Sequence, residues 1–241
     1  MSSDPREITI IRPFLCLSGA DAVTEANAQK FCLTAILNIT VSQIKPNWWK
    51  GKYLRICMED LDSAQLHVWF EIAGDFIEEV RLENGRVLVH CMAGISRSVS
   101  IIMAYLMKNE GQTLREAYET IHQKRPAVLP NPGFWRQLIS YEEKLHGSTT
   151  CTLSTRPPDL MDLVSLPPFH EKAEYPEVVW DYVRKVIESR RAVLAANSEP
   201  TNTEETSDTD VISLDTEKDK ITRLPQTQIR KRTNSICCTI V

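Results

Sequence analysis

Between residues 5 and 147, short apolar runs alternate with segments whose apolar residues recur every three or four positions. The runs Ile8–Ile11, Phe14–Leu17, Ala35–Ile39, Tyr53–Cys57 and Val87–His90 predict strands. Helical spacing predicts helices over Ala22–Cys32, Ser98–Asn109, Leu114–Gln123 and Phe134–Leu145. It is clearest at Leu66, Trp69, Phe70, Ala73, Phe76, Ile77 and Val80, which fall on one helical face. Asn131-Pro132 supplies a cap and a first-turn proline for the last helix. Strands separated by helices predict an α/β sheet with helices on both faces, and ligands in such sheets gather at the carboxyl ends of strands.

The pattern changes after residue 147. All eight glycines lie between Gly19 and Gly147, and no aromatic residue follows Tyr182. A compact domain is therefore expected over residues 5–147, with an extension over 148–196 that holds Pro157-Pro158 and Pro167-Pro168. Val179, Tyr182, Val183, Val186 and Ile187 mark one face of a charged helix over 177–196. Residues 197–220 lose aromatics and gain acid, from Glu199 to Asp219, against Lys218 and Lys220. Such a composition buries too little apolar surface to offset its ordering entropy, so residues 197–241 read as a disordered tail.

Composition narrows the function. The chain is 42% hydrophobic and 25% charged, with a formal net charge of −4. That balance speaks against nucleic acid as the main partner, because phosphate-backbone binders carry a basic surplus. Met1–Pro13 lacks a signal peptide's apolar core, and Val99–Met107 is too short to span a bilayer. A cytoplasmic or nuclear protein is expected. The seven cysteines show no paired ligand spacing, so they read as free thiols with no metal site.

The chemistry concentrates in HCMAGISRS, residues 90–98, between the strand ending at His90 and the helix beginning near Ser98. Backbone N–H groups at a helix N-terminus converge on one electropositive spot, a cradle for phosphate. Met92, Ala93, Gly94, Ile95, Ser96 and Arg97 would wrap the anion. Gly94 allows the turn, and Arg97 offers a planar fork to two oxygens. Cys91 sits at the base of the cradle, where the same field favours thiolate, the nucleophilic form. A lone buried cysteine is ordinarily core. Here Cys, Gly, Arg and Ser coincide at one strand-to-helix junction.

This stretch resembles the signature of the cysteine-based protein tyrosine phosphatases, in its dual-specificity form. Ala35-Ile36-Leu37-Asn38-Ile39-Thr40, Met58-Glu59-Asp60, Ala104-Tyr105-Leu106-Met107, Arg125-Pro126 and the Pro130–Leu138 segment are similar too. The resemblance covers roughly residues 5–147. It implies a central, mostly parallel five-stranded sheet flanked by helices and cysteinyl-phosphate chemistry without a cofactor. It also implies a general acid in the loop after the Tyr53–Cys57 strand. Asp60 takes that role, with Asp62 as the fallback. Ser98 would assist the sulfur as leaving group, and His90 and Asn131 would support the loop. Cys57 offers a partner for an oxidised Cys91, although a strand cysteine is ordinarily core.

The variable loop positions Met92, Ala93, Ile95 and Ser96 carry no basic residue, which favours phosphoprotein over multiply phosphorylated lipid. Few residues precede the first strand, so the reading is an atypical dual-specificity phosphatase without an N-terminal docking domain. MAP kinases enter as substrates by family association alone. Two other readings stay open: a catalytically weak phosphoprotein-binding scaffold, and a phosphatase of a non-protein phosphate. At the far end, Cys238-Thr239-Ile240-Val241 has the outline of a prenylation signal, with Cys237 available for palmitoylation and Arg230-Lys231-Arg232 upstream. Thr239-x-Val241 equally suits a PDZ domain, and an unmodified end is the third reading.

Overall fold

The computed structural model describes residues 7–42, 44–160, 174–196 and 239–240. The described residues up to Val186 belong to one compact unit, which also takes in the strand at 239–240; residues 187–196 fall in a second. Five strands build the centre of the first: β1 (Thr9–Arg12), β2 (Leu15–Ser18), β3 (Ala35–Asn38), β4 (Lys52–Arg55) and β5 (Val87–His90). Their order is β1-β2-β5-β3-β4. β2, β5, β3 and β4 run parallel, and β1 joins the edge antiparallel.

The strands are short, and β2, β3 and β5 are buried along their whole length. That is why they read as continuous apolar runs: a parallel sheet is covered on both faces. On one face Cys16, Ile36, Tyr53 and Leu88 pack with Ala28 of α1 (Glu25–Lys30) and with Trp49. The alternate strand residues, among them Leu15, Leu17, Leu37, Val87 and Val89, are also fully buried and so turn to the other face. There lie α2 (Phe70–Leu82), α3 (Arg97–Glu110), α4 (Leu114–His122) and α5 (Pro132–His146). α3 is central to this layer and packs on α2, α4 and α5. Its residues from Arg97 to Met107 are all buried, so the first turn, which carries the candidate chemistry, has a rigid base.

Local chemistry sets the helix starts. Thr113 and Glu116 form a reciprocal capping box at α4. The Asn131 side chain accepts from the Phe134 N–H at 2.9 Å, and Pro132 fills the first helical position of α5. The amphipathic stretch near residue 66 begins as a 3₁₀ turn, Leu66–Trp69, before α2. The first helix starts later than its apolar pattern, because the Thr24 side chain caps it by accepting from the Asn27 N–H.

Residues after 147 contribute to the same unit. β6 (Leu153–Ser154) pairs antiparallel with β7 (Tyr175–Pro176), and α6 (Glu177–Ala196) follows, its residues up to Val186 within this unit. Trp180 is buried and donates from Nε1 to the Ser154 carbonyl at 3.2 Å. Tyr182 stacks on His122 of α4, ring centroids 3.7 Å apart. Composition alone leaves the end of the chain unordered, yet Thr239–Ile240 (β8) pairs antiparallel with β4. An edge strand offers unpaired backbone groups that a short β-branched segment can take up. The acidic tail, Cys237 and Cys238 lie outside the described residues. Among those described, no helix is long and apolar enough to cross a membrane.

Candidate active site

β5 ends at His90, and α3 begins at Arg97. Six residues join them in a loop, and the carbonyls of His90 through Ile95 are all engaged. The Ile39 N–H takes the His90 carbonyl, and the Ala20 N–H takes that of Met92, both at 2.9 Å. The Leu129 N–H takes that of Ile95, also at 2.9 Å. The His90 Nδ1–H donates to the Cys91 carbonyl at 3.3 Å. Arg125, a fully buried side chain from the segment after α4, donates to the last two: Nε to Gly94 at 3.0 Å and Nη2 to Ala93 at 3.2 Å. With its carbonyls held outward, the loop turns its amides inward, toward Cys91.

Gly94 is required at the apex on two counts. Its φ is +70°, in the left-handed region. A Cβ would also lie 2.6–2.8 Å from the Ser18–Gly19 backbone. The loop therefore rests directly on the end of β2.

The Cys91 sulfur is buried at the centre. It accepts from the Gly94 N–H at 3.3 Å and from the Ser98 hydroxyl at 3.2 Å. Burial alone would push this thiol up. The Ser98 hydroxyl, the Ser98 and Ile95 amides and the Arg97 guanidinium outweigh it and hold the thiol below its ordinary value. The other thiols among the described residues behave in the opposite way where a shift is evident: burial pushes Cys16 and Cys151 up to about 11. Cys57 is half-buried and free. His90 is pushed down to about 4, mainly by burial, so its ring is neutral at physiological pH and acts as a fixed donor to the loop.

Arg97 is buried and donates from Nη1 to the Met58 carbonyl at 2.9 Å. Its Nε lies 3.4 Å from Asp60 Oδ2, close enough for charge attraction, yet it makes no hydrogen bond. A buried donor without a partner costs about 1–3 kcal/mol. A tetrahedral oxyanion over Cys91 would fill it.

Asp60 is held against this cradle. Its Oδ1 accepts from the Ser96 hydroxyl and from Asn131 Nδ2, both at 2.7 Å. The Ser96 hydroxyl in turn accepts from the Asn131 N–H at 3.0 Å. Asp62 points elsewhere, to Arg136 at 3.5 Å. Of the two carboxylates left open by the sequence, only Asp60 meets Arg97 and the loop. Met92, Ala93 and Ile95 contribute backbone, and the Met92 side chain is exposed.

Residues 15–144 match the family model for the catalytic domain of dual specificity phosphatases. The chain belongs to that family. Dual specificity protein phosphatase 14 of Homo sapiens is 39% identical over 125 residues, covering 52% of this chain and 63% of its own length. Dual specificity protein phosphatase 5 of Rattus norvegicus is 42% identical over 140 residues, covering 58% and 36%. The chain thus spans less than two thirds of these curated relatives. Among solved structures, the human tyrosine phosphatase-like serine/threonine/tyrosine-interacting protein superposes with a TM-score of 0.55 at 32% identity, covering 58% of this chain and 97% of the other. A mouse putative dual specificity phosphatase complexed with zinc tungstate superposes at 0.57 with 28% identity, covering 61% and 93%.

Three features of this family member were not evident from its motifs. Arg125 stands in the matching Arg125-Pro126 pair, but that match gives it no role, and here it ties two loop carbonyls. Ser96, expected to wrap phosphate, spends its hydroxyl on Asp60. Gly133 lies against the acid loop: a Cβ there would overlap the Asp62 backbone. Gln137 adds a second clasp, donating to the Ala64 carbonyl at 2.8 Å and accepting from the His67 N–H at 2.8 Å. The start of α5 thereby fixes the acid loop relative to the cradle.

Proposed function

We propose that this chain hydrolyses phosphotyrosine and phosphoserine or phosphothreonine in proteins through a phosphorylated Cys91. The observation that carries this reading is the Cys91 sulfur, ringed by inward amides and the Ser98 hydroxyl beside a buried Arg97 with an unfilled donor. The Cys91 thiolate attacks phosphorus while Arg97 and the loop amides bind the equatorial oxygens. The P–O bond to the protein breaks, and protonated Asp60 gives its proton to the leaving oxygen. Water then attacks the phosphocysteine, Asp60 takes a proton from that water, and the thiolate leaves with the Ser98 hydroxyl donating to it. The cycle ends with inorganic phosphate and the starting enzyme.

Several observations support a phosphoprotein as substrate. The loop side chains add no basic group to meet further phosphates. The family includes relatives named as dual specificity protein phosphatases. A mouse neighbour has been crystallised with tungstate, a tetrahedral oxyanion. On family grounds MAP kinases are the first proteins to test. Matched phosphotyrosyl and phosphothreonyl peptides should both release phosphate, measured as inorganic phosphate under steady-state conditions. Turnover of only one class would reduce the reading to a single specificity. Turnover of neither, with binding intact, would leave the scaffold reading.

A further inference from the structure

The mouth of the candidate site is bordered by three loops, one each from the carboxyl ends of β3, β4 and β5. The first carries Val41 and Ile44, the second Leu61 and the third Met92. All four are large apolar side chains exposed to solvent, at 46%, 71%, 51% and 43% respectively. Their proximity to the site follows from the fold. Asn38 and His90 are register partners, so the β3 and β5 loops emerge side by side. The Ser42 hydroxyl lies 3.6 Å from the Met92 sulfur, one residue from Cys91. Leu61 directly follows Asp60. The β3 loop is tethered through Arg55, whose Nη2 donates to the Val41 carbonyl at 2.6 Å.

Exposed apolar side chains scattered singly are ordinary, but several around one cleft mark a binding surface. Of the charged groups on the same rim, Glu59 is exposed, while Asp62 and Lys45 are engaged. Asp62 pairs with Arg136, and Lys45 lies with its Nζ 5.8 Å from the Tyr53 ring centroid. A protein segment whose phosphate reaches the buried Cys91 must lay its neighbouring residues over these loops.

We infer that Val41, Ile44, Leu61 and Met92 form an apolar collar that selects phosphorylated segments with aliphatic or aromatic residues beside the phosphoresidue. The collar acts on substrate binding, and it rests on the phosphatase reading above. It distinguishes between peptides and leaves small phosphate esters, which reach only the cradle, unaffected.

The test compares kcat/KM for two phosphotyrosyl peptides that differ only at the flanking positions, Leu in one and Asp in the other, with para-nitrophenyl phosphate as control. The unmodified chain should favour the Leu peptide by about tenfold, the factor that burial of one aliphatic side chain supplies. The difference should lie in KM. Val41→Glu and Ile44→Glu should erase the preference while hydrolysis of the small ester is unchanged, and Ile44→Leu should keep it. Equal turnover of the two peptides by the unmodified chain would overturn the inference. So would a preference untouched by both glutamate variants, or a parallel loss of ester and peptide hydrolysis, which would make the loop a support of the cradle. Failure of the unmodified chain to hydrolyse the small ester would count against the phosphatase reading itself, so the two failures are distinguishable.

Discussion

Cys91→Ser is expected to abolish turnover of every phosphate ester while leaving phosphate-ester binding in place. Two effects compound. A serine hydroxyl ionises far above the range to which the Ser98 hydroxyl, the inward amides and Arg97 bring the thiol. The same donors then have no anion to hold before substrate arrives. The expected loss in kcat is on the order of 10⁵–10⁶, the scale reached when a covalent nucleophile is removed. Oxygen replaces sulfur with little change of shape, and the loop is held by His90, Arg125, Ala20, Ile39 and Leu129. The variant should therefore fold normally and retain phosphopeptides. Isothermal titration with a phosphotyrosyl peptide alongside phosphate release checks both halves. Residual kcat within tenfold of the unmodified chain would remove Cys91 from the reaction.

The second large effect belongs to Asp60. Asp60→Asn keeps the contact with the Ser96 hydroxyl but cannot give up a proton. For peptides, kcat should fall by about 10²–10⁴, the usual contribution of a general acid. The loss should be greater for phosphothreonine than for phosphotyrosine, because an alkoxide is a worse leaving group than a phenoxide. It should be smallest for para-nitrophenyl phosphate. The pH profile gives an independent check. In the unmodified chain kcat/KM should rise as Cys91 ionises, at a pH below that of an ordinary thiol, and a falling limb at higher pH should report the general acid. The variant should keep the rising limb and lose the falling one. An unchanged bell-shaped profile in Asp60→Asn, measured over the same pH range, would pass the role to another group, with Asp62→Asn the next variant to measure.

How far the site was legible in the chain differs from residue to residue. The strand-to-helix junction was legible because its two flanks are buried elements with distinct periods, Val87–His90 as a continuous apolar run and Ser98–Asn109 as a buried helix. Between them stand residue types that only an anion explains together. The choice between Asp60 and Asp62 was not written in any periodicity. It depends on how α5 lies against the acid loop, with Asn131 on Asp60, Gly133 on the Asp62 backbone and Arg136 on the Asp62 carboxylate. The role of Arg125, a residue of the matching Arg125-Pro126 pair, escaped for the same reason. Its value lies in two carbonyls more than 30 residues earlier in the chain, and no spacing rule links a side chain to a distant backbone oxygen. After residue 147 the apolar spacing of Val179, Tyr182, Val183, Val186 and Ile187 made the helix legible, but the prolines before it gave no sign of the hairpin that buries Tyr175 beside Val178, Val179 and Trp180. A few large side chains on a short hairpin and one helix face are enough to order such a segment, even where average composition is polar.

The collar of apolar residues and the catalytic proposal make separate claims on the same mouth. One concerns which segment binds, and the other what happens to its phosphate. The central claim is that phosphate passes through Cys91. The most direct measurement of it uses Ser98→Ala, in which the hydroxyl that assists sulfur departure is gone, so that breakdown of the intermediate slows. The variant is mixed with a phosphotyrosyl peptide, quenched on the millisecond scale, digested and read by mass spectrometry. One phosphoryl group is expected on the peptide containing Cys91, rising to a stoichiometric burst before steady-state phosphate release. Dephosphorylated product formed in that burst with no phosphoryl group on Cys91 would contradict the account.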